Sequence, residues 1–220
     1  AMQYVDSIWT DTTRRPKVVF IYPDHPYGKN PIPAGKAMAQ ELGFEIGEDQ
    51  FVALNATDAV SQLTNMKQYN PDWAWIGGTV GSTAVIIKDA AKLGLDTKFL
   101  INVWGFDENL PRLAGEAAEG VMGATPCAFF GQDVKNMDLV VSSAEKYSPG
   151  VPLGKRLNRT VQAWGDALIT WEALKRADKK GIDITKKGSG PGMMKEGFET
   201  LRNYDIGLGA APISFCLLYT

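Results

Sequence analysis

Residues 22–28 read YPDHPYG, and within them Tyr27 sets a ring and a hydroxyl directly after a short apolar run. A phenol at such a place can wall off a small solute and hydrogen-bond it at once; a turn residue packed on the surface is the plainer use of the same side chain. His25, the single histidine, lies in the same loop and can either hydrogen-bond a solute or stand as an ordinary surface residue between Asp24 and Pro26. Residues 77–82 read GGTVGS. Glycines there let backbone N–H groups come close to a ligand, and the opening of a helix suits a carboxylate or another anion. Thr79 and Ser82 offer hydroxyls, and Val80 and Gly81 offer backbone donors. The stretch lacks the lysine of a P-loop and the spacing of a dinucleotide fingerprint, and a plain strand-to-helix turn accounts for it too. In residues 102–107 (NVWGFD) Trp104 has the area to stack on an aromatic or apolar acid, whereas Asp107 and Glu108 are placed to cap the helix that follows.

Other chemistries find little support. One histidine and scattered carboxylates do not make a metal site, no serine or cysteine sits in a recognisable nucleophile motif, and no cofactor is implied. Cys127 and Cys216 read as unpaired thiols packed as small apolar residues. With a formal net charge of −2 the chain has no basic footprint for nucleic acid. No apolar run approaches the roughly 18 residues of a membrane span, and the mix of 45% apolar and 22% charged residues is that of a globular protein with a real core. Ala1 and Met2 read as a tag remnant and a start codon, and are kept out of the fold expectations.

The elements that must position these residues follow a regular rhythm. Strands are expected over residues 17–22 (KVVFIY), 44–54, 73–76, 98–101 and 120–124; helices over 33–42, from a cap at Thr57 or Asp58 to about Tyr69, over 82–93, and over 108–114. Such alternation predicts a parallel five-stranded sheet with helices on both faces, and solutes in that architecture bind beyond the carboxyl ends of the strands. The loops to watch are therefore 24–28, 55–58, 77–82, 102–107 and 125–127. After about Ala124 the rhythm changes. Helices are expected over 133–146, 157–178 and 191–201, loops over 148–154 and 179–192, and a strand-like tail over 212–219. Leu157, Val161, Trp164, Leu168, Trp171 and Leu174 form one stripe on the long helix, which this part of the chain has no sheet to cover.

The order of several short motifs resembles a known family. YPDHPYG followed by an Ala-rich helix ending in Glu41-Leu42-Gly43-Phe44 resembles the start of the second lobe in branched-chain amino acid and related solute-binding proteins, the type I periplasmic binding proteins. Thr57-Asp58, Asn70-Pro71-Asp72, Gly77-Gly78, residues 91–95 (AKLGL) and residues 117–121 (AAEGV) fall in the same order and spacing. Residues 158–177 are similar to the family's long first-lobe helix, and residues 203–215 to the segment before its final crossover.

The resemblance implies an α/β type I lobe over residues 1–123 and a mostly helical part of the other lobe over 124–220, the whole being a fragment of a longer binder. It implies no catalysis. It implies an extracytoplasmic component, periplasmic or extracellular, that hands an amino acid or related, also aromatic, organic acid to the membrane permease of an ABC transporter, with the lobes closing on the solute. A ligand-sensing regulatory or receptor domain is the alternative within the same fold, and a nucleotide-using α/β enzyme a remoter one. Tyr27 becomes a ligand-contacting position. Counting from Phe99 to Gly115 places Val103, with Trp104 beside it, where amino-acid binders of the family carry the acid that grips the ammonium. Self-association through the helix at 157–178 is expected to bury its apolar stripe, unless the second lobe covers it.

Overall fold

The computed structural model describes residues 1–215, in two compact units, Ala1–Thr125 and Pro126 onward. Half of the strand-like tail predicted over 212–219, with Cys216, lies outside the described residues.

The first unit is the predicted α/β layer. In chain order it runs α1 (Met2–Ile8), β1 (Lys17–Tyr22), α2 (Pro26–Lys29), α3 (Ile32–Glu41), β2 (Glu45–Ile46), β3 (Gln50–Phe51), α4 (Val60–Tyr69), β4 (Trp73–Ile76), α5 (Val80–Lys92), β5 (Lys98–Ile101), α6 (Asn109–Ala114) and β6 (Met122–Gly123). Every strand pairing is parallel, and β4, β5 and β6 follow β1 in turn on one side. On the other side β2 and β3 both pair with β1, one after the other. They make a single broken edge, so the sheet has five columns.

The continuous strand expected over 44–54 is thus interrupted, for a packing reason. The Gly47 N–H still reaches the Val18 carbonyl at 2.9 Å, but the residue lies against Tyr69 and Val19, where a Cβ would come within 2.6 Å of the Tyr69 ring. Asp49 then turns to accept hydrogen bonds from the Tyr22 hydroxyl and the Lys36 ammonium, each at 2.6 Å.

Alternation along the strands splits the core between the two faces of the sheet. Val19, Ile21, Ala74, Ile76, Phe99 and Ile101 point to one face, where Leu63 and Met66 of α4 and Ile86 and Ile87 of α5 cover them. Val18, Phe20, Tyr22, Trp73 and Leu100 point to the other, under α1 and α3. Both faces being covered, the strands read as unbroken apolar runs rather than as alternating ones. Met2, kept out of the fold expectations, belongs to the fold after all. With Val5 it is 4% and 0% exposed and belongs to the second cluster.

Two helix starts depart from expectation. Neither Thr57 nor Asp58 caps α4; its N-cap is Ala59, whose N–H is held by the Asp89 carboxylate of α5 at 2.9 Å. The Lys92 ammonium beside Asp89, and after it the Ala59 N–H, hold that carboxyl below the ordinary aspartate range against the opposing effect of burial. α5 begins at Val80 rather than Ser82, because the Ser82 hydroxyl folds back to bond the Thr79 backbone, the closing half of a capping box.

The second unit holds α7 (Met137–Tyr147), α8 (Asn158–Lys179) and α9 (Gly190–Glu196). Among its described residues the strand-like pairing is the antiparallel bridge Tyr204–Ile213. α7 starts later than the expected 133, since Asn136 adopts φ 67° and donates to the Ile206 carbonyl at 2.8 Å. The unit has its own small core of Cys127, Ala128, Met137, Val140, Val161 and Leu208, with Trp164 and Leu168 packed on it.

The buried residues of α8 are Asn158, Val161, Gly165, Ala173 and Ala177. The predicted stripe holds in the first half, where Val161 is buried and Trp164 and Leu168 pack on the core, and fails in the second, where Trp171 is left 62% exposed. Small residues explain the change in the second half. The chain after α9 comes so near that a Cβ on Gly197 would lie 2.6 Å from the Ala173 carbonyl oxygen.

Candidate functional site

The sheet order reverses between β1 and β4. From β1 the chain moves outward to the broken edge and returns on the other side. In open α/β sheets this switch point opens a crevice at the carboxyl ends of the strands. The loops after β1, β4 and β5 leave the sheet at that edge, and the side chains singled out in the sequence lie on these loops or on the first turns of α2 and α5 that follow them.

Tyr27 is the joint between them. It stands on α2, entered from His25, whose Nδ1 accepts the Tyr27 N–H at 3.2 Å. The Tyr27 hydroxyl donates to the Gly78 carbonyl at 3.0 Å and accepts from the Asn102 Nδ2 at 2.9 Å. Asn102 Oδ1 in turn accepts the Gly105 N–H at 2.8 Å, closing the turn on which Trp104 sits, half exposed. Tyr27, Gly78, Asn102 and Trp104 are therefore brought together through three loops, and His25 acts here as a cap.

The 77–82 stretch divides in two. Gly78 is pressed onto the first turn of α5, where a Cβ would meet the Ser82 hydroxyl at 2.5 Å; Gly81 has open space around it. Ser82 is buried and spends its hydroxyl on the Thr79 backbone, so it is an internal group rather than a ligand-facing one. At the start of a helix the N–H groups of Val80 and Gly81 have no carbonyl four residues back to bond. The Thr79 carbonyl already accepts from Thr83 N–H and Ser82 Oγ, and the Thr83 hydroxyl beneath is buried with no hydrogen-bond partner.

In the next loop Val103 is half-buried beside Trp104. Asp107 accepts the Asn109 N–H at 2.8 Å, so it caps α6 as anticipated. Glu108 occupies the cap position without a side-chain bond to the helix.

Two groups escaped the sequence reading. Asn102 fell inside a loop to watch, but its bridging role depends on a tyrosine 75 residues earlier. Tyr22, Lys36 and Asp49 form a polar cluster at the same edge, and burial, followed by the Asp49 carboxylate, pushes the Tyr22 hydroxyl above the ordinary phenol range. A lysine and an aspartate 13 residues apart give no pattern that announces such a pair.

The chain thus has a parallel open sheet with its polar loops gathered at a switch point, and comparison with known proteins gives it a family. A model of the periplasmic binding protein family matches residues 1–210, and the chain belongs to that family. Among solved structures it is similar to an ABC transporter substrate-binding protein of Aeropyrum pernix, at 27% identity and a TM-score of 0.79, over 98% of this chain and 55% of that one. It is also similar to a branched-chain amino acid ABC transporter protein of Thermus thermophilus with bound valine, at 24% identity and a TM-score of 0.75, over 91% and 50% of the two chains. A leucine-, isoleucine-, valine-, threonine- and alanine-binding protein of Pseudomonas aeruginosa is 24% identical over 125 residues, 56% of this chain and 33% of that protein. The chain thus spans about half the length of these solved relatives and a third of the curated one. The fold is the predicted type I periplasmic-binding-protein-like α/β layer.

Proposed function

We infer that this chain is part of an extracytoplasmic solute-binding component of an ABC transporter, in which residues 1–123 supply one ligand-gripping lobe and residues 124–220 part of the other. Its working partners are a small organic solute and the membrane permease that receives it. The observation that carries this reading is the convergence of three loops on the Tyr27 hydroxyl at the switch point, within a chain of the periplasmic binding protein family.

The donors and surfaces at this edge favour a particular class of solute. The Val80 and Gly81 N–H groups, at the positive end of a 13-residue helix, suit a carboxylate. Trp104, 50% exposed, and the Tyr27 ring suit a flat or apolar body. Val103 stands where the family resemblance expects an acid, so an α-ammonium group has no carboxylate partner at that position, and burying such a cation unpaired costs several kcal/mol. The reading is therefore an organic acid, with aromatic acids ahead of ordinary α-amino acids.

Titration calorimetry with phenylacetate, benzoate, L-phenylalanine and L-leucine tests it. The two aromatic acids are expected to bind more tightly than the amino acids, and Trp104→Ala to weaken them roughly tenfold, as the loss of an aromatic stacking pair implies. Micromolar binding of L-leucine overturns the assignment.

A further inference from the structure

We propose that the Tyr27 hydroxyl and the Asn102 carboxamide form a clasp that locks the loops after β1, β4 and β5 into their binding arrangement before any solute arrives. The inference rests on the ligand-site reading above, and adds that the surface is preformed rather than shaped by its ligand.

The bonds run in one line. Gly105 N–H donates to Asn102 Oδ1 at 2.8 Å and, more weakly, to the Asn102 carbonyl at 3.2 Å; Asn102 Nδ2 donates to Tyr27, and Tyr27 donates to the Gly78 carbonyl. The Tyr27 partners are 51 and 75 residues away in sequence, so each link joins a different loop. Members of such a chain polarise one another, and the unit behaves as more than separate pairs.

Two further observations fix the loops from beneath. A Cβ on Gly78 would come 2.5 Å from Ser82 Oγ, and one on Gly105 2.6 Å from Thr83 Oγ1, so both loops rest directly on the first turn of α5. Tyr27 is itself over-determined. His25 Nδ1 holds its N–H, and Gly28 is wedged so close that a Cβ would lie 2.5 Å from the Pro23 carbonyl oxygen.

Tyr27 is accordingly a positioning residue through its hydroxyl, whose proton is already directed at Gly78. It meets a solute with its ring. Asn102 sets the turn that carries Trp104. A surface held this way avoids the ordering cost that a floppy set of loops adds to binding.

Amide hydrogen exchange on the 220-residue chain decides the matter without any ligand. Tyr27→Phe removes one oxygen and keeps the ring; Asn102→Ala removes the middle of the relay. Each is expected to speed exchange at Gly105 and Thr79 roughly tenfold, the size expected for lost hydrogen bonds in a locally opening segment, while Phe20 within β1 stays protected. The double variant is expected to go no further than the larger single one. Asn102→Asp keeps an acceptor for Gly105 but loses the amide donor, so Gly105 stays protected while Thr79 loosens; a general loss of stability would release both. Exchange within twofold of wild type at both amides in Tyr27→Phe, or single effects that multiply in the double variant, overturns the clasp. Failure of every carboxylate and amino acid to bind the wild type sinks the ligand-site reading instead, and leaves the exchange result standing.

Discussion

The two units solve the same problem, hiding apolar side chains, by different means. In the first, a parallel sheet is covered on both faces, and side chains such as Leu63, Ile76 and Ile101 are wholly out of water. In the second, helices pack on a cluster of six buried residues with one antiparallel bridge beside it. A sheet gives every strand end a fixed height, so the loops leaving its carboxyl edge can meet at atomic precision, as Tyr27, Gly78 and Asn102 do. Helices around a small cluster lack that common edge. The polar gathering around Tyr27 belongs to the first unit.

This contrast can be tested by cutting equivalent holes. Leu63→Ala is expected to destabilise the first unit by about 3–4 kcal/mol, at the cost of lost transfer energy plus a cavity that the sheet cannot close. Val161→Ala removes less and sits in a smaller cluster, and is expected to cost about 1–2 kcal/mol in the second. Urea unfolding followed by fluorescence and by far-ultraviolet dichroism reads both. Equal costs would show that the small cluster is as tightly bound as the sheet core.

Next in size is the link between α4 and α5. Asp89→Asn is expected to cost about 1 kcal/mol near neutral pH, the usual worth of a helix cap. The carboxyl is held below its ordinary value of 3.8 by the Lys92 ammonium and the Ala59 N–H. Its contribution is therefore complete above that pH and fades as the pH falls beneath it. Thermal melts of wild type and Asp89→Asn should differ at pH 7 and draw together below pH 3.8; a constant gap would place the effect elsewhere.

The smallest effect is expected at Trp171. At 62% exposure it buries little within its own unit, so Trp171→Ala should change chain stability by less than about 0.5 kcal/mol. Light scattering after gel filtration then shows whether that ring holds two copies together. A dimer that Trp171→Ala dissolves supports pairing through α8, and a wild-type monomer removes it.

Much of the first unit was legible because its pattern is local. The run at Lys17–Tyr22, the strands Trp73–Ile76 and Lys98–Ile101, and the turn at Asn70-Pro71 coincide with the structure, since β-branched and aromatic runs bounded by proline, glycine and asparagine admit few other readings. What escaped depended on distant neighbours. Ser82 looked available to a ligand and is consumed by Thr79; α4 looked self-capped and borrows Asp89. On α8 the predicted stripe holds at Val161, Trp164 and Leu168, but toward the C-terminal end the small residues Ala173 and Ala177 are buried and Trp171 is not. Size alone misled there, because close approach of backbone favours residues with nothing to move aside. Tyr27 and Trp104 lie on the loops singled out at the switch point, while the link through Asn102 became visible only when three loops were seen together.

The borrowed cap has a bearing on assembly. Asp89 lies 30 residues beyond Ala59, so a growing chain presents the first turn of α4 well before the group that secures it. Until α5 has formed and docked, that turn is a frayed end. The start of α4 is thus secured only once α5 lies beside it, and a substitution at Asp89 is expected to loosen the first turn of α4.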